Sequence, residues 1–194
     1  VNAIITLLQT SSNPEVVTQC LKAMFNLSAG EDSRGQIVGR HGVPVLVEVA
    51  QRESTPLASR KLVASTLFNL SILSEGRESM IADDAAGCAI QLCAIPSKST
   101  KFACAGTLLN LSVVEDALNS GLVPAMKELA QTDDTATLLR VATCFAYLSS
   151  QKKARSIMCA EPGMSKVLNS MMRSGHEETQ VETATCLTNM TTLG

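Results

Sequence analysis

The apolar residues of this chain recur at helical spacing, and a tripeptide punctuates the recurrence. Asn26-Leu27-Ser28, Asn69-Leu70-Ser71 and Asn110-Leu111-Ser112 each close one such stretch, and Tyr147-Leu148-Ser149 and Asn189-Met190-Thr191 repeat the theme in degenerate form. Counted from the lead residue, position −2 holds Met24, Leu67, Leu108, Phe145 and Leu187. Position +1 holds Leu27, Leu70, Leu111, Leu148 and Met190, and position −5 holds Leu21, Ala64, Ala105, Ala142 and Ala184. Offsets that differ by three lie on one face of a helix, and the alternation a strand needs is absent. The recurring alanine marks a place where another helix crosses closely. Five long amphipathic helices are therefore predicted.

Side-chain caps start them. Asn13-Pro14 and Thr55-Pro56 put a cap before a proline at the first helical position, and Ser97 or Ser99, Asp133 or Asp134, and Ser174 are the expected caps of the others. Upstream of each lies a shorter apolar segment, at 1–8, 43–50, 85–94, 123–130 and 164–172. Gly42-Val43-Pro44 and Gly121-Leu122-Val123-Pro124 open two of these, glycine for a sharp turn and proline for a helix start. Between units sit 32–39, 76–82 and 152–159, each able to form about two helical turns.

The lead residues at 26, 69, 110, 147 and 189 are spaced 43, 41, 37 and 42 apart. A period in that range means stacked helical units rather than one globular core. Two departures stand out. From Ser112 to Gly121 is 9 residues, against 14 from Ser28 to Gly42 and from Ser149 to Gly163. The first helix of the fourth unit is therefore expected to be short by a turn or more, or a flexible segment is missing there. The third unit carries Asp83-Asp84-Ala85-Ala86-Gly87 in place of the glycine-proline turn, so irregular stacking is expected across 74–124.

Gly42-Val43-Pro44-Val45-Leu46-Val47-Glu48-Val49, followed by Ala64-Ser65-Thr66-Leu67-Phe68-Asn69-Leu70-Ser71, resembles an armadillo repeat. The resemblance runs over the whole chain as five units. It implies an all-α, right-handed α-solenoid with three helices per repeat, the first repeat lacking its short leading helix. The expected organisation is a single domain over 1–194, with repeats at 1–30, 31–73, 74–114, 115–150 and 151–194. The chain opens at Val1 inside a helix, with no initiator Met and no leader, and is expected to be a fragment of a longer protein. Solenoid ends need polar outer faces. Val1-x-Ala-Ile-Ile at one end and Leu187 and Met190 at the other do not supply them, so self-association through uncapped ends is expected.

In armadillo proteins the third helices line a concave groove and the marker Asn points into it. By resemblance, Asn26, Asn69, Asn110 and Asn189 would form a ladder that holds a partner's backbone, since an amide both donates and accepts. The same residue can instead tie neighbouring helix ends together within the protein, and the residues leave both roles open. Tyr147 takes the Asn position in the fourth unit, as an interface anchor or as a plug beside the shortened helix. Possible groove neighbours are Lys22, Ser65, Thr143 and Arg140. Four residues before the marker, where importin-α-type adaptors carry Trp, stand Lys22, Ser65, Gly106, Thr143 and Thr185, and the chain contains no Trp. Position −7 holds Gln19, Leu62, Ala103, Arg140 and Glu182, which form no acidic trough. An importin-type cargo site is not supported, and the Lys/Arg row of the β-catenin type is also missing. The implied groove is lined with small residues and weakly charged.

Composition narrows the classes further. At 45% hydrophobic, 18% charged and a net charge of −2, the chain suits a soluble fold and offers no basic face for nucleic acid. Lys152-Lys153-x-Arg155 is the densest basic run. No apolar run approaches the ~18–20 residues that span a bilayer. The seven cysteines fall largely at packed slots, Cys20 and Cys104 at −6 and Cys144 and Cys186 at −3, alternating there with Val, Ala and Thr. They read as buried free thiols of a cytoplasmic chain, the nucleus being the alternative, with no zinc spacing. His41 and His176 lie in turns of different units without a partner at motif spacing, and Asp83-Asp84 and Asp133-Asp134 read as caps or solvated charge. No cofactor and no catalysis are expected. The expected function is a protein-interaction scaffold or adaptor that binds a partner segment along the groove. The alternatives are the substrate-recruiting arm of an armadillo-containing ubiquitin ligase or assembly factor, and a structural spacer with no groove ligand.

Overall fold

Asn13 accepts a hydrogen bond from the Glu15 N–H at 2.9 Å, and Pro14 follows at the first helical position. That cap starts the first long helix of a computed structural model that describes residues 1–191. The helices are α1 (Asn2–Thr10), α2 (Pro14–Ser28), α3 (Glu31–Gly39), α4 (Gly42–Gln51), α5 (Leu57–Ser71), α6 (Arg77–Ala82) and α7 (Ala85–Leu92). They continue as α8 (Lys98–Leu111), α9 (Leu122–Leu129), α10 (Thr135–Ser150), α11 (Lys152–Ala160), α12 (Met164–Met172) and α13 (Glu177–Thr191). Short 3-10 segments at Ser74–Gly76 and Glu115–Ser120 complete the described residues, which contain no strand. The last three residues of the fifth unit, 192–194, lie outside them.

The long helices α2, α5, α8, α10 and α13 pack side by side in chain order. A second layer runs α1, α4, α7, α9, while α3 braces α4 and α5, and α6 braces α7 and α8. The result is an all-α solenoid. Its core is the recurring stripe: Met24, Leu67, Leu108 and Phe145 at −2, and Leu70, Leu111 and Leu148 at +1, are all fully buried. In the outer units Leu27, Ala184, Leu187 and Met190 are only half-buried.

Several local expectations are corrected. Ser97 caps α8 through the Thr100 N–H and Asp134 caps α10 through the Thr137 N–H. Thr55 does not cap α5: its hydroxyl donates to the Val49 carbonyl at 2.6 Å, tying the loop back to α4, and Pro56 stands at the cap. Ser174 accepts from the His176 N–H, ahead of α13, and does not cap it. The left-handed turn before the second helix falls on Gly121 and Gly163 in two units, but on His41 (φ 57°) and Asp84 (φ 59°) in the others. Gly42 therefore serves close packing and not the turn. A Cβ there would lie 2.6 Å from Ile37 Cγ2 and 2.8 Å from the Ile37 carbonyl oxygen. Gly42→Ala is expected to destabilise the chain by about 1–2 kcal/mol through overpacking; an unchanged urea midpoint would show that α3 yields freely.

The shortened connection before α9 is the 3-10 segment Glu115–Ser120, which occupies the place of a first helix. Its consequence is a lost tie. Eight residues after the marker, Arg34, Arg77 and Arg155 reach back to the end of the preceding long helix. Arg34 donates to the Ser28 and Ala29 carbonyls, Arg77 to those of Ser71 and Ile72, and Arg155 to that of Ser149 and also to the Asn189 carbonyl near the end of the following long helix, α13. A guanidinium there satisfies orphan carbonyls and opposes the negative end of the helix dipole. After Asn110 the equivalent residue is Leu118, buried in the core, and α8 has no such tie.

Candidate functional site

Asn69 and its equivalents sit at the C-terminal ends of the long helices, where the side chain of one unit meets the preceding one. Asn69 Nδ2 donates to Ser28 Oγ at 2.9 Å, Asn110 Nδ2 to Ser71 Oγ at 3.0 Å, and Asn189 Nδ2 to Ser149 Oγ at 3.1 Å. Asn189 also donates to the Ala146 carbonyl at 3.3 Å. The acceptors are the serines of the previous marker. Each is buried and donates in turn to the carbonyl three residues before it: Ser28 to Phe25, Ser71 to Phe68 and Ser149 to Ala146. That polarised relay fixes the acceptor direction of the serine and hence the plane of the next amide. One N–H of Asn69 and of Asn110 is thus committed to the fold, whereas Asn189 Nδ2 serves two acceptors. The Oδ1 of Asn69 and of Asn110 makes no hydrogen bond among the described residues, and both side chains are half-exposed. Asn26 is exposed and its side chain makes no bond, there being no earlier unit in the described chain to meet it.

Tyr147 breaks the series. Tyr147 is 36% exposed, and no hydrogen bond joins it to Ser112 among the described residues. Ser112 donates to the Leu109 carbonyl as its equivalents do, but its neighbour across the interface is the Cys144 thiol. Ser149 has the Cys186 thiol beside it in the same way. Burial pushes Cys144 up to about 12 and Cys186 up to about 11, so both remain protonated, packed thiols near neutral pH. Cys20, Cys88 and Cys104 are buried as well, whereas Cys93 is half-buried and Cys159 is exposed.

The four residues expected beside the markers differ in their settings. Lys22 is exposed, and Ser65 and Thr143 are half-buried. Arg140 lies between two aromatic rings from the two preceding units, its guanidinium carbon 3.6 Å from the Phe102 ring centroid and 4.3 Å from that of Phe68. The rings meet edge to face with centroids 6.2 Å apart, and Arg140 Nη1 donates to the Phe102 carbonyl at 3.3 Å. Gly106 makes the slot: a Cβ there would lie 2.5 Å from the Phe68 ring and closer still to Arg140 Nη1. Cation–π contact of this kind contributes about 1–2 kcal/mol when partly desolvated. Desolvation also holds the guanidinium below its usual pKa, though it stays charged.

Sequence spacing placed Arg140 beside the markers, but nothing in the spacing brought Phe68 or Phe102 to it. The tie arginines were missed in the sequence, although Arg34, Arg77 and Arg155 share one offset from the markers that could have found them. Residues with chemistry of other kinds stay scattered. His41 and His176 are exposed at helix starts. Asp84 occupies the left-handed turn, while Asp133 pairs with Lys98 at 3.1 Å. No group of His, Cys, Asp or Glu able to hold a metal ion occurs among the described residues, and no helix there is long and apolar enough to cross a membrane.

Comparison with known proteins yields structures and no sequences: no protein-family model and no curated protein matches the chain. Among solved structures, computationally designed armadillo repeat proteins for modular peptide recognition superpose with a TM-score of 0.86 at 12% identity, over 96% of this chain and 80% of that one. A designed armadillo repeat protein in complex with the peptide (KR)4 gives 0.80 at 15% identity, over 96% and 80%. An engineered protein gives 0.83 at 22% identity, over 98% of this chain and 47% of that one. The fold is the armadillo-type repeat solenoid.

Proposed function

We propose that the chain is a protein-interaction scaffold that holds an extended partner segment along the face formed by α2, α5, α8, α10 and α13. The observation that carries this reading is the oriented amide series. Asn69 and Asn110 each spend one N–H on the preceding serine and keep Oδ1 and the second N–H for a ligand. An extended segment presents an N–H and a C=O at each residue, so a row of such amides grips main chain without reading side chains. The serine relay means that little rotamer entropy is lost on binding. The likeness to designed proteins, one of them in complex with a peptide, supports the same use of the face. Tyr147 then contributes an exposed ring where the series lacks an amide, an anchor for an apolar partner side chain.

The experiment uses dodecapeptides selected from a displayed random library against the 194-residue chain. In Asn69→Ala with Asn110→Ala, the selected peptides are expected to bind about tenfold or more weakly, equivalent to roughly 1.4 kcal/mol. Ser28→Ala with Ser71→Ala removes the same ties while leaving the amides, and is expected to lower stability with a much smaller loss of affinity. Equal affinity for the asparagine variant and the parent, with the helical spectrum intact, would overturn the ladder.

A further inference from the structure

Arg140 is the one charged residue of α10, and its setting is unusual for a cation. The helices on which it leans, α5 and α8, carry Arg60, Lys61, Lys98 and Lys101 and no Asp or Glu. None of the ion pairs among the described residues involves Arg140. Glu182, at the equivalent position one unit further on, is not paired with it. The Phe102 and Phe68 rings lie against the guanidinium, and the Phe102 carbonyl takes one Nη1 proton. Its Nε and Nη2 find no acceptor among the described residues and are not sealed from solvent. A guanidinium held against two rings with an edge open to solvent is one that a carboxylate can meet edge-on, through paired N–H···O bonds.

We propose that Arg140 is a specificity-determining residue of the ladder face, taking the side-chain carboxylate of an Asp or Glu in the bound segment. This rests on the groove reading above and adds a sign to it. The ladder holds main chain, and Arg140 selects one acidic residue over the junction of the third and fourth units. Gly106 is part of the same device, because any side chain at that position would displace the guanidinium from its slot.

The test is fluorescence anisotropy with three labelled octapeptides of alternating Glu-Ser, Gln-Ser and Lys-Ser. The parent chain is expected to bind the Glu peptide about tenfold more tightly than the Gln peptide, and the Lys peptide most weakly. Arg140→Gln should abolish the preference for Glu over Gln and leave the Gln peptide unchanged, while Arg140→Lys, a cation without the fork, retains part of it. Equal affinity of the parent for the Glu and Gln peptides overturns this inference and leaves the ladder standing, as does a preference that survives in Arg140→Gln. Failure of all three peptides to bind overturns the ladder and this inference together. The comparison of peptides on the parent chain holds even if a variant at 140 folds poorly.

Discussion

Phe145→Ala should destabilise the chain by about 3–5 kcal/mol, the range for removing a large aromatic from a packed core. Phe145 is fully buried and ranks among the largest side chains with no exposure. It sits on α10, which packs on both α8 and α13. In a solenoid each unit is held by its neighbours, so a cavity there weakens two interfaces at once and lets the fifth unit separate from the rest. Urea unfolding followed by far-ultraviolet dichroism should show a lower midpoint and a broader transition. The chain has one tyrosine and no tryptophan, so Tyr147 emission reports the fourth unit alone and should change at lower urea than the dichroism. A loss below ~1 kcal/mol with coincident transitions would mean that α10 is not the keystone of its end.

Arg77→Met is expected to lose about 1.5–3 kcal/mol, as for hydrogen bonds made by a charged donor. Arg77 Nε donates to the Ser71 carbonyl at 2.9 Å and Nη2 to that of Ile72 at 3.4 Å, closing the end of α5 where no intrahelical partner exists. Methionine keeps most of the stem and removes the donors, so packing loss is small. Arg173→Met, on an exposed arginine, is the control and should stay within about 0.5 kcal/mol. Comparable losses at 77 and 173 would show that the interaction is general charge and not a cap.

Much of the fold is legible in one dimension because the helix imposes its own period. Offsets of three select one face, and the residues at −2 and +1 of the inner units are indeed the fully buried ones. Caps were legible where side chain and backbone are local, at Asn13 as a single residue and at Ser97 and Asp134 as one of two neighbouring candidates. They failed where a long-range acceptor competed. Thr55 has the look of a cap, but the Val49 carbonyl six residues earlier takes its hydroxyl. The sharp turn was assigned to Gly42 and Gly121 on steric grounds; Gly121 adopts the left-handed conformation, but His41 takes it in place of Gly42, and Asp84 takes it in the third unit, where no glycine turn was expected.

By itself, then, the sequence determined the number of units, their helical kind, the buried stripe and the line of marker residues, all consequences of 3.6 residues per turn acting within one helix. Only the tertiary structure decided what those residues touch. Asn69 and Ser28 are 41 residues apart, and the rotation that joins them is set by how side-chain ridges of α2 and α5 interlock. The same holds for Arg140. Its position at −7 is a matter of counting, but its place between Phe102 and Phe68 depends on three helices settling around the missing side chain of Gly106. Spacing along a helix is fixed by backbone geometry, whereas register between helices is fixed by the volumes that meet there, and one sequence does not display those volumes in contact.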